Sequence, residues 1–245
     1  MNNCTDICWE SAALTHVGKV RSINEDSLAD FPETGLWAVA DGMGGHDAGD
    51  FASQAIVKSL GNVRNQEQLS DYVEAVEEQL LTVNHALIEE AAGRKNTQMI
   101  GSTVVALLAL KHHCACLWVG DSRAYRLRDG SMRSVTRDHS QVEEMIQEGV
   151  LLREDAESHP AANVITRAVG AEKALYIDVE LEEIFDGDRY LLCSDGLYKE
   201  ISEQEIAEQL MQGNCQEVCD RLLDIALQRG VNDNVTIIVI EFKKV

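Results

Sequence analysis

The segment from Leu36 to Gly45 constrains the fold more than any other part of the sequence. Its first five residues are apolar, and Asp41 and a cluster of glycines follow them. Five consecutive apolar residues leave no polar face for water, so the segment predicts a buried β-strand with Asp41 where the strand leaves the core. The glycines carry no Cβ atom, which lets the backbone turn sharply and lets another group approach closely.

The same arrangement of an apolar run beside an aspartate recurs along the chain. Three more aspartates adjoin such runs: Asp121 follows 116–120, Asp195 follows 190–194 and Asp233 precedes 235–240. If these strands share one core, their ends can bring the carboxylates together. Clustered carboxylates repel one another and take up protons, whereas a hard divalent cation removes that penalty. Ligands that are all oxygen suit Mg²⁺ or Mn²⁺, so the sequence predicts a site for such ions.

The net charge of the chain indicates which classes of binding partner are unfavourable. The 245 residues include 42 Asp and Glu against 21 Lys and Arg, a formal charge of -21. That excess disfavours nucleic acid and anionic membranes as partners. No apolar stretch approaches the roughly 20 residues that span a bilayer, and the first residues lack the pattern of a signal peptide. The 7 cysteines, an odd number, show no disulfide framework, so we expect a cytoplasmic protein. We also expect a monomer.

Strand signals come in adjacent runs, with pairs of helices between them. We predict strands at 7–17, 27–31, 36–41, 102–110, 114–119, 122–127, 174–182, 189–193 and 235–242, and helices at 48–60, 68–92, 141–147, 202–211 and 216–228. Asp129-Gly130 and Asp186-Gly187 read as hairpin turns. The pattern indicates an α+β fold, an antiparallel β-sandwich with helices on both faces. We expect one domain over residues 1–245, with a surface flap at about 134–170.

Several short motifs, in a fixed order over almost the whole chain, resemble one family. They are Thr15, Gly18, Arg21, Asn24, Glu25 and Asp26, then Asp41-Gly42-x-Gly44-Gly45, 101–103, 119–123, 138–140, 165–170, Ser194-Asp195-Gly196-Leu197 and Asp233-Asn234-Val235-Thr236. The sequence is similar to the metal-dependent protein serine/threonine phosphatases of the PPM type, also called type 2C, in their compact bacterial form. Together the motifs are far more specific than any one of them.

The resemblance implies a mechanism for the hydrolysis of phosphoserine and phosphothreonine. This hydrolysis is extremely slow without a catalyst. Two Mn²⁺ or Mg²⁺ ions would hold a bridging hydroxide and offset the charge of the phosphoryl oxygens. The implied roles are these: Asp41 bridges both ions, the Gly42 carbonyl completes one shell, Asp195 and Asp233 bind the second ion, Glu25 lies near the first, Asp26 and Asn234 orient neighbouring groups, Arg21 holds the phosphate, and Asp121 with Asp195 forms a weaker third site. The implied partners are a phosphoprotein and its serine/threonine kinase.

One position departs from many eukaryotic relatives. At this position those relatives have a histidine, which is proposed as the general acid. This chain has Met43 there, as many bacterial members have methionine. Methionine cannot donate a proton, so a metal-bound water or another residue must do so. His46 and His139 are candidates.

Other interpretations remain open at this stage. A phosphatase fold could bind phosphoprotein without turnover, although degenerate copies should lose carboxylates that this chain keeps. A different metallo-hydrolase could act on small nucleotides. Asp121 could be a structural cap or pair with Arg123. The alternation of Cys114 and Cys116 favours core packing over zinc binding, and Cys215 and Cys219 also read as packing residues.

Overall fold

The computed structural model describes residues 7–44, 48–94, 99–156 and 158–245. The strands are β1 (Ile7–His16), β2 (Asp26–Phe31), β3 (Leu36–Met43), β4 (Gly101–Ser102), β5 (Val104–Leu110), β6 (His113–Val119), β7 (Arg123–Arg128), β8 (Ser131–Ser134), β9 (Asp178–Glu183), β10 (Arg189–Cys193) and β11 (Val235–Lys244). The helices are α1 (Ala48–Leu60), α2 (Leu69–Gly93), α3 (Gln141–Gln147), α4 (Asp195–Tyr198), α5 (Glu203–Leu210) and α6 (Cys215–Arg229), and Arg153–Asp155 forms a 3₁₀ turn.

The strands form two antiparallel sheets. One has the order β1-β11-β10-β7-β8, and the other has the order β2-β3-β5-β6-β9, with β4 paired to β3. Apolar side chains from the facing sides of both sheets fill the space between them, among them Trp37, Leu107, Leu192 and Phe242. The rings of Trp37 and Phe242 meet edge to face, with centroids 6.2 Å apart. Burial on both faces explains why the β3 sequence is continuously apolar rather than alternating.

Helices cover the outer face of each sheet, which completes the predicted four layers. α1 and α2 pack on the β2-β3-β5-β6-β9 sheet. The buried stripe of α2 follows steps of three and four residues through Tyr72, Val76, Leu80, Val83 and Leu87, as an amphipathic helix requires. α6 packs on the other sheet, largely through β1 and β11.

The helix ends show how local sequence sets these boundaries. The predicted capping box of α5 is present, with Ser202 and Glu205 each bonding the other's backbone N–H. A second box, between Asn214 and Glu217, begins α6 and was not anticipated. α6 ends at Gly230, whose φ of 83° a residue with a Cβ rarely adopts.

The cysteines that were predicted as packing residues are buried in the core. Cys114 and Cys116 lie on β6 with their side chains in the core, and Cys114 Sγ donates to the Tyr190 hydroxyl at 3.3 Å. Cys215 and Cys219 lie on the buried face of α6. The predictions for both pairs are therefore confirmed.

Two local predictions need correction. The strand predicted at 174–182 begins only at Asp178. Asp186 was predicted in a hairpin turn, but β9 and β10 belong to different sheets, so its connection crosses between layers. Its carboxylate instead accepts a hydrogen bond from the Lys244 N–H at 2.8 Å. Adjacent strand signals do not reveal which sheet each strand joins. Asp129-Gly130 does join the paired strands β7 and β8, with φ values of 51° and 74° that suit a two-residue hairpin.

The segment at 134–170 carries α3 and the 3₁₀ turn. A bridge between Ser140 and Ile165 joins the two halves of the segment to each other, and a bridge between Ser102 and Val169 attaches it to the body. No helix in the described ranges is long and apolar enough to cross a bilayer.

Candidate functional site

A cavity of about 620 Å³ opens at one end of the sandwich, where β3, β6 and β10 end and β11 begins. Its lining includes all but one of the residues to which the resemblance assigns a role in binding metal or phosphate or in orienting those ligands, namely Arg21, Glu25, Asp41, Gly42, Asp121, Asp195, Asp233 and Asn234. The remaining one, Asp26, lies beside Asp41 in the register of β2 and β3. Residues up to 212 positions apart in the chain thus meet at one place.

The backbone around Asp41 is held on both sides. Its N–H donates to Thr103 Oγ1 at 3.2 Å, and its carbonyl accepts from the Thr103 N–H and the Ser102 hydroxyl, both at 2.9 Å. Gly42 follows, and a Cβ atom there would lie 2.0 Å from the Gly49 carbonyl oxygen at the start of α1. Glycine is required at 42 because α1 approaches the strand end so closely.

Asn234 fixes the loop that carries Glu25. Its side-chain oxygen accepts from the Glu25 N–H at 2.8 Å, and its Nδ2 donates to the carbonyls of Val17 and Ile23 at 2.9 and 3.1 Å. Gly18 in the same loop has a φ of 80°, and a Cβ atom there would meet the Asp233 carbonyl oxygen. The loop is thus fastened to the residues that precede β11.

Asp26 is buried beneath the cavity, with 6% of its surface exposed. One of its carboxylate oxygens accepts hydrogen bonds from the hydroxyls of Ser194 and Thr236, both at 2.7 Å. Burial raises the pKa of Asp26 to about 7, although the two hydroxyl groups work in the opposite direction. The side chain ties the start of β2 to the ends of β10 and β11.

Among the described residues that line the cavity, two carry a positive charge. Arg21, on the rim with 51% of its side chain exposed, donates to Asp233 Oδ2 at 2.8 Å. Lys199 Nζ lies 2.5 Å from Asp195 Oδ2. Lys199 could not be predicted from the sequence, because the apolar run before Asp195 indicates only a strand that ends there. In fact Asp195 begins the short helix α4, which places residue 199 one turn away.

Asp121 is nearly buried, with 7% of its surface exposed. The Tyr198 hydroxyl donates to its carbonyl oxygen at 3.0 Å. Burial, and next the charge of Asp195, raise the pKa of Asp121 to about 6. The alternative of an ion pair with Arg123 is wrong, because that guanidinium binds the Asp138 carboxylate at 2.7 Å.

The pKa values of the cavity carboxyl groups show a shortage of positive charge. Burial raises the pKa of Asp41 well above its ordinary value, and the charges of Asp26, Asp195, Asp121 and Asp233 raise it further. Burial also raises the pKa of Glu25. Carboxyl groups in this state bind protons unless a cation neutralises them.

The donor set fits divalent cations shared between carboxylates. Asp195 Oδ1 is buried and has no hydrogen-bond partner. Within the described ranges, no three His, Cys, Asp or Glu side chains close around a single point. An ion held here would therefore need a backbone carbonyl and waters, in addition to the carboxylates, to complete its shell, as Mg²⁺ does.

Of the two candidate proton donors, the structure describes only His139. His46 lies outside the described residues, as does Gly45. His139 is not among the residues that line the cavity. Its Nδ1 accepts from the Gly120 N–H at 3.0 Å, its Nε2 lies 3.2 Å from Asp178, and its ring stacks on Trp118. His139 therefore supports the loop that precedes Asp121 and does not reach the cavity.

Comparison with known proteins identifies similar chains. A family model described as Protein phosphatase 2C matches residues 17–233. The serine/threonine protein phosphatase PstP of Mycobacterium tuberculosis is 36% identical over 228 residues, which are 93% of this chain and 44% of that protein. The chain therefore spans less than half the length of this curated relative.

Two solved structures are similar over nearly their whole length. One is described as PppA, a key regulatory component of T6SS in Pseudomonas aeruginosa. It has a TM-score of 0.90 and 41% identity, covering 97% of this chain and 98% of that one. The other is the catalytic domain of the serine threonine protein phosphatase PstP in complex with two manganese ions. It has a TM-score of 0.85 and 33% identity, covering 97% of this chain and all of that one (100%).

Proposed function

The chain belongs to the protein phosphatase 2C family, and we propose that it hydrolyses phosphoserine and phosphothreonine in proteins with the help of two Mn²⁺ or Mg²⁺ ions. The observation that carries the proposal is the single cavity that unites Glu25, Asp41, Asp195 and Asp233, with a buried Asp195 oxygen that lacks a partner. The manganese ions of the similar PstP catalytic domain support the choice of cofactor.

Within this proposal, Asp41 would help to hold both ions, and the Gly42 carbonyl and Glu25 would help to hold the first of them. Asp195 and Asp233 would hold the second. Ions bound there lower the pKa of a bound water and offset negative charge on the phosphoryl group. Asn234 and Asp26 keep the ligand-bearing loops in place through the hydrogen bonds described above.

Arg21 is the proposed phosphate-binding residue. It is half exposed at the rim, and its guanidinium already points at the carboxylate cluster through Asp233. A planar fork of N–H donors matches two phosphate oxygens, which a lysine cannot do. A cation bound by Asp233 would release Arg21 from this pair, so that its guanidinium could bind substrate.

The proposal extends to the biological setting. Phosphate monoesters on serine and threonine are the products of protein kinases, so the partner we propose is a serine/threonine kinase that acts on the same substrates. We also propose a reducing, cytoplasmic location. The six described cysteines support it, because all of them are free thiols.

The test is hydrolysis of an aryl phosphate and of a phosphothreonine peptide with Mn²⁺ present. EDTA and Asp41→Asn should each abolish turnover. Activity that persists both in EDTA and in the Asp41→Asn variant would contradict the two-ion mechanism. A panel that includes small nucleotides separates a protein phosphatase from a nucleotide hydrolase. Mn²⁺ binding without turnover on any substrate would favour a binding module instead.

A further inference from the structure

Lys199 is a cation of the cavity that the proposed chemistry does not use. It lies one turn after Asp195, at the C-cap of the short helix that Asp195 begins, and its Nζ contacts Asp195 Oδ2. It also lines a second cavity, of about 360 Å³, that adjoins the first and shares Asp121, Asn163 and Lys199 with it. Its ammonium group thus lies beside the two carboxylates for which the family resemblance implies a weaker third ion.

The charges around the main cavity can be counted from its described lining. Six carboxylates face it: Glu25, Asp41, Asp121, Asp195, Glu200 and Asp233. Arg21 and Lys199 are the cations in the same lining. Four negative charges remain, which two divalent ions neutralise. Without Lys199 the excess rises to five, and a third ion becomes favourable.

We propose that Lys199 takes the place of a third metal ion, so that this site binds two divalent ions. The inference rests on the proposed function, since it concerns the same carboxylates. A lysine ammonium is a compact point charge on a flexible chain, which suits it to occupy a small cation position. Unlike an ion, it is tethered to the chain and does not depend on the metal concentration.

A simpler interpretation is an ordinary helical ion pair between residues four apart. Such pairs at the surface stabilise a protein little and leave the number of bound ions unchanged. The two interpretations therefore differ in metal stoichiometry, and the charge-removing substitution Lys199→Met separates them.

The experiment is calorimetric titration of Mn²⁺ into protein stripped with EDTA. We expect two ions for the wild type and three for Lys199→Met. Lys173→Met is the matched control, because Lys173 is exposed and lies outside both cavities. It removes the same charge and should leave two ions. The double variant Lys199→Met with Asp121→Asn should return to two, since it loses one charge of each sign.

Each result bears on one proposal. Three ions in the wild type, or two in a folded Lys199→Met variant, would overturn the role of Lys199 and leave the phosphatase proposal intact. No Mn²⁺ binding by the wild type would instead overturn the proposed function itself. A circular dichroism melt of each variant in EDTA shows whether it is folded. If Lys199→Met does not fold, Lys199→Gln provides the neutral side chain, and two ions in that variant would equally overturn the role.

Discussion

The two ends of the β-sandwich treat buried acids in opposite ways. At the end away from the cavity, where β10 begins, Asp188 is fully buried, and Arg128 Nε and Nη2 bind its two oxygens at 2.7 and 2.6 Å. Glu182 nearby accepts from Arg126 and from the Tyr190 hydroxyl, each at 2.8 Å, and also pairs with Arg133. These acids have their positive charges built into the fold.

At the cavity end, β2, β3 and β6 place three acids, Asp26, Asp41 and Asp121, that have no such partners. In the described part of the chain, no lysine or arginine forms an ion pair with Asp26, Asp41 or Asp121. The pKa values of all three carboxyl groups are raised. A buried acid paired with an arginine has its charge compensated within the fold, whereas a buried acid without such a partner binds a proton or a cation. The contrast separates structural from functional carboxylates without reference to the family.

The largest expected effect is on stability and comes from the end away from the cavity. In Asp188→Asn, one side-chain oxygen still accepts a hydrogen bond from Arg128. The new NH₂ group faces the other Arg128 N–H, so two donors oppose each other. Removing one partner of a buried pair costs about 3–5 kcal/mol, so we expect the free energy of unfolding to fall by about that amount. Urea denaturation measures it. Activity per folded molecule should stay near the wild-type value, and a loss of activity larger than the loss of folded protein would break the comparison.

The same Asp-to-Asn substitution at the cavity should lower activity and leave stability almost unchanged. Asp195→Asn removes a proposed ligand, and we expect kcat to fall by about 10²–10³-fold, the usual cost of losing one electrostatic stabiliser of the transition state. Stability in EDTA should change by less than about 1 kcal/mol, because the pair with Lys199 is partly exposed. Steady-state kinetics and melting of the same preparation test both halves. Destabilisation comparable with that of Asp188→Asn would contradict the distinction.

The pH dependence of stability distinguishes the ends further. The folded protein holds the proton of Asp26 more tightly than the unfolded chain does, since burial raises that pKa to about 7. Its favourable contribution is complete below the ordinary pKa of about 4 and is lost as the pH rises towards 7. A tenfold change in proton affinity corresponds to about 1.4 kcal/mol. In EDTA we therefore expect the Tm of Asp26→Asn relative to the wild type to be about 5–10 °C higher near pH 7.5 than near pH 5.

The comparison with Asp26→Asn is necessary because other groups titrate in the same range. The pKa of Asp121 is raised and acts in the same direction, while burial lowers the pKa of His139, which acts in the opposite direction. Both are common to the two proteins, so the difference in Tm isolates Asp26. Saturating Mn²⁺ should reduce the gain, since bound cations neutralise the carboxylates that disfavour ionised Asp26. A gain that does not depend on pH would contradict the assignment.

The smallest effect comes from a residue that belongs to neither end. Asn214 caps α6 and accepts the Glu217 N–H at 3.0 Å. Asn214→Ala should cost about 1 kcal/mol, hence about 2–4 °C in Tm. Mn²⁺ stoichiometry and kcat should be unchanged. A shift in either would show that general loosening of the fold, rather than a specific site, governs metal binding.

Much of the site could be predicted from local pattern. Asp41, Asp121, Asp195 and Asp233 stand out because each adjoins an apolar run, and strand ends in one core tend to converge. The outer helices followed from periodicity, and α1 and α3 have the predicted bounds. Periodicity works there because burial of one face is a local requirement on spacing.

Other features could not be predicted because they depend on contacts across the chain. Asp186 was misplaced because neighbouring strands in sequence joined different sheets. The hydrogen bonds of Asp26 join residues 168 and 210 positions apart, and no local spacing encodes them. Lys199 resembled any surface lysine until α4 brought it back to Asp195.

The sequence by itself determined which carboxylates end buried strands, where most helices run and where glycine must replace any larger residue. It could do so because hydrophobic spacing and backbone freedom are properties of neighbouring residues. Only the tertiary structure decided which acids have an arginine partner and which do not. That pairing depends on how two sheets stack, and it sets whether a buried charge serves the fold or binds a cation.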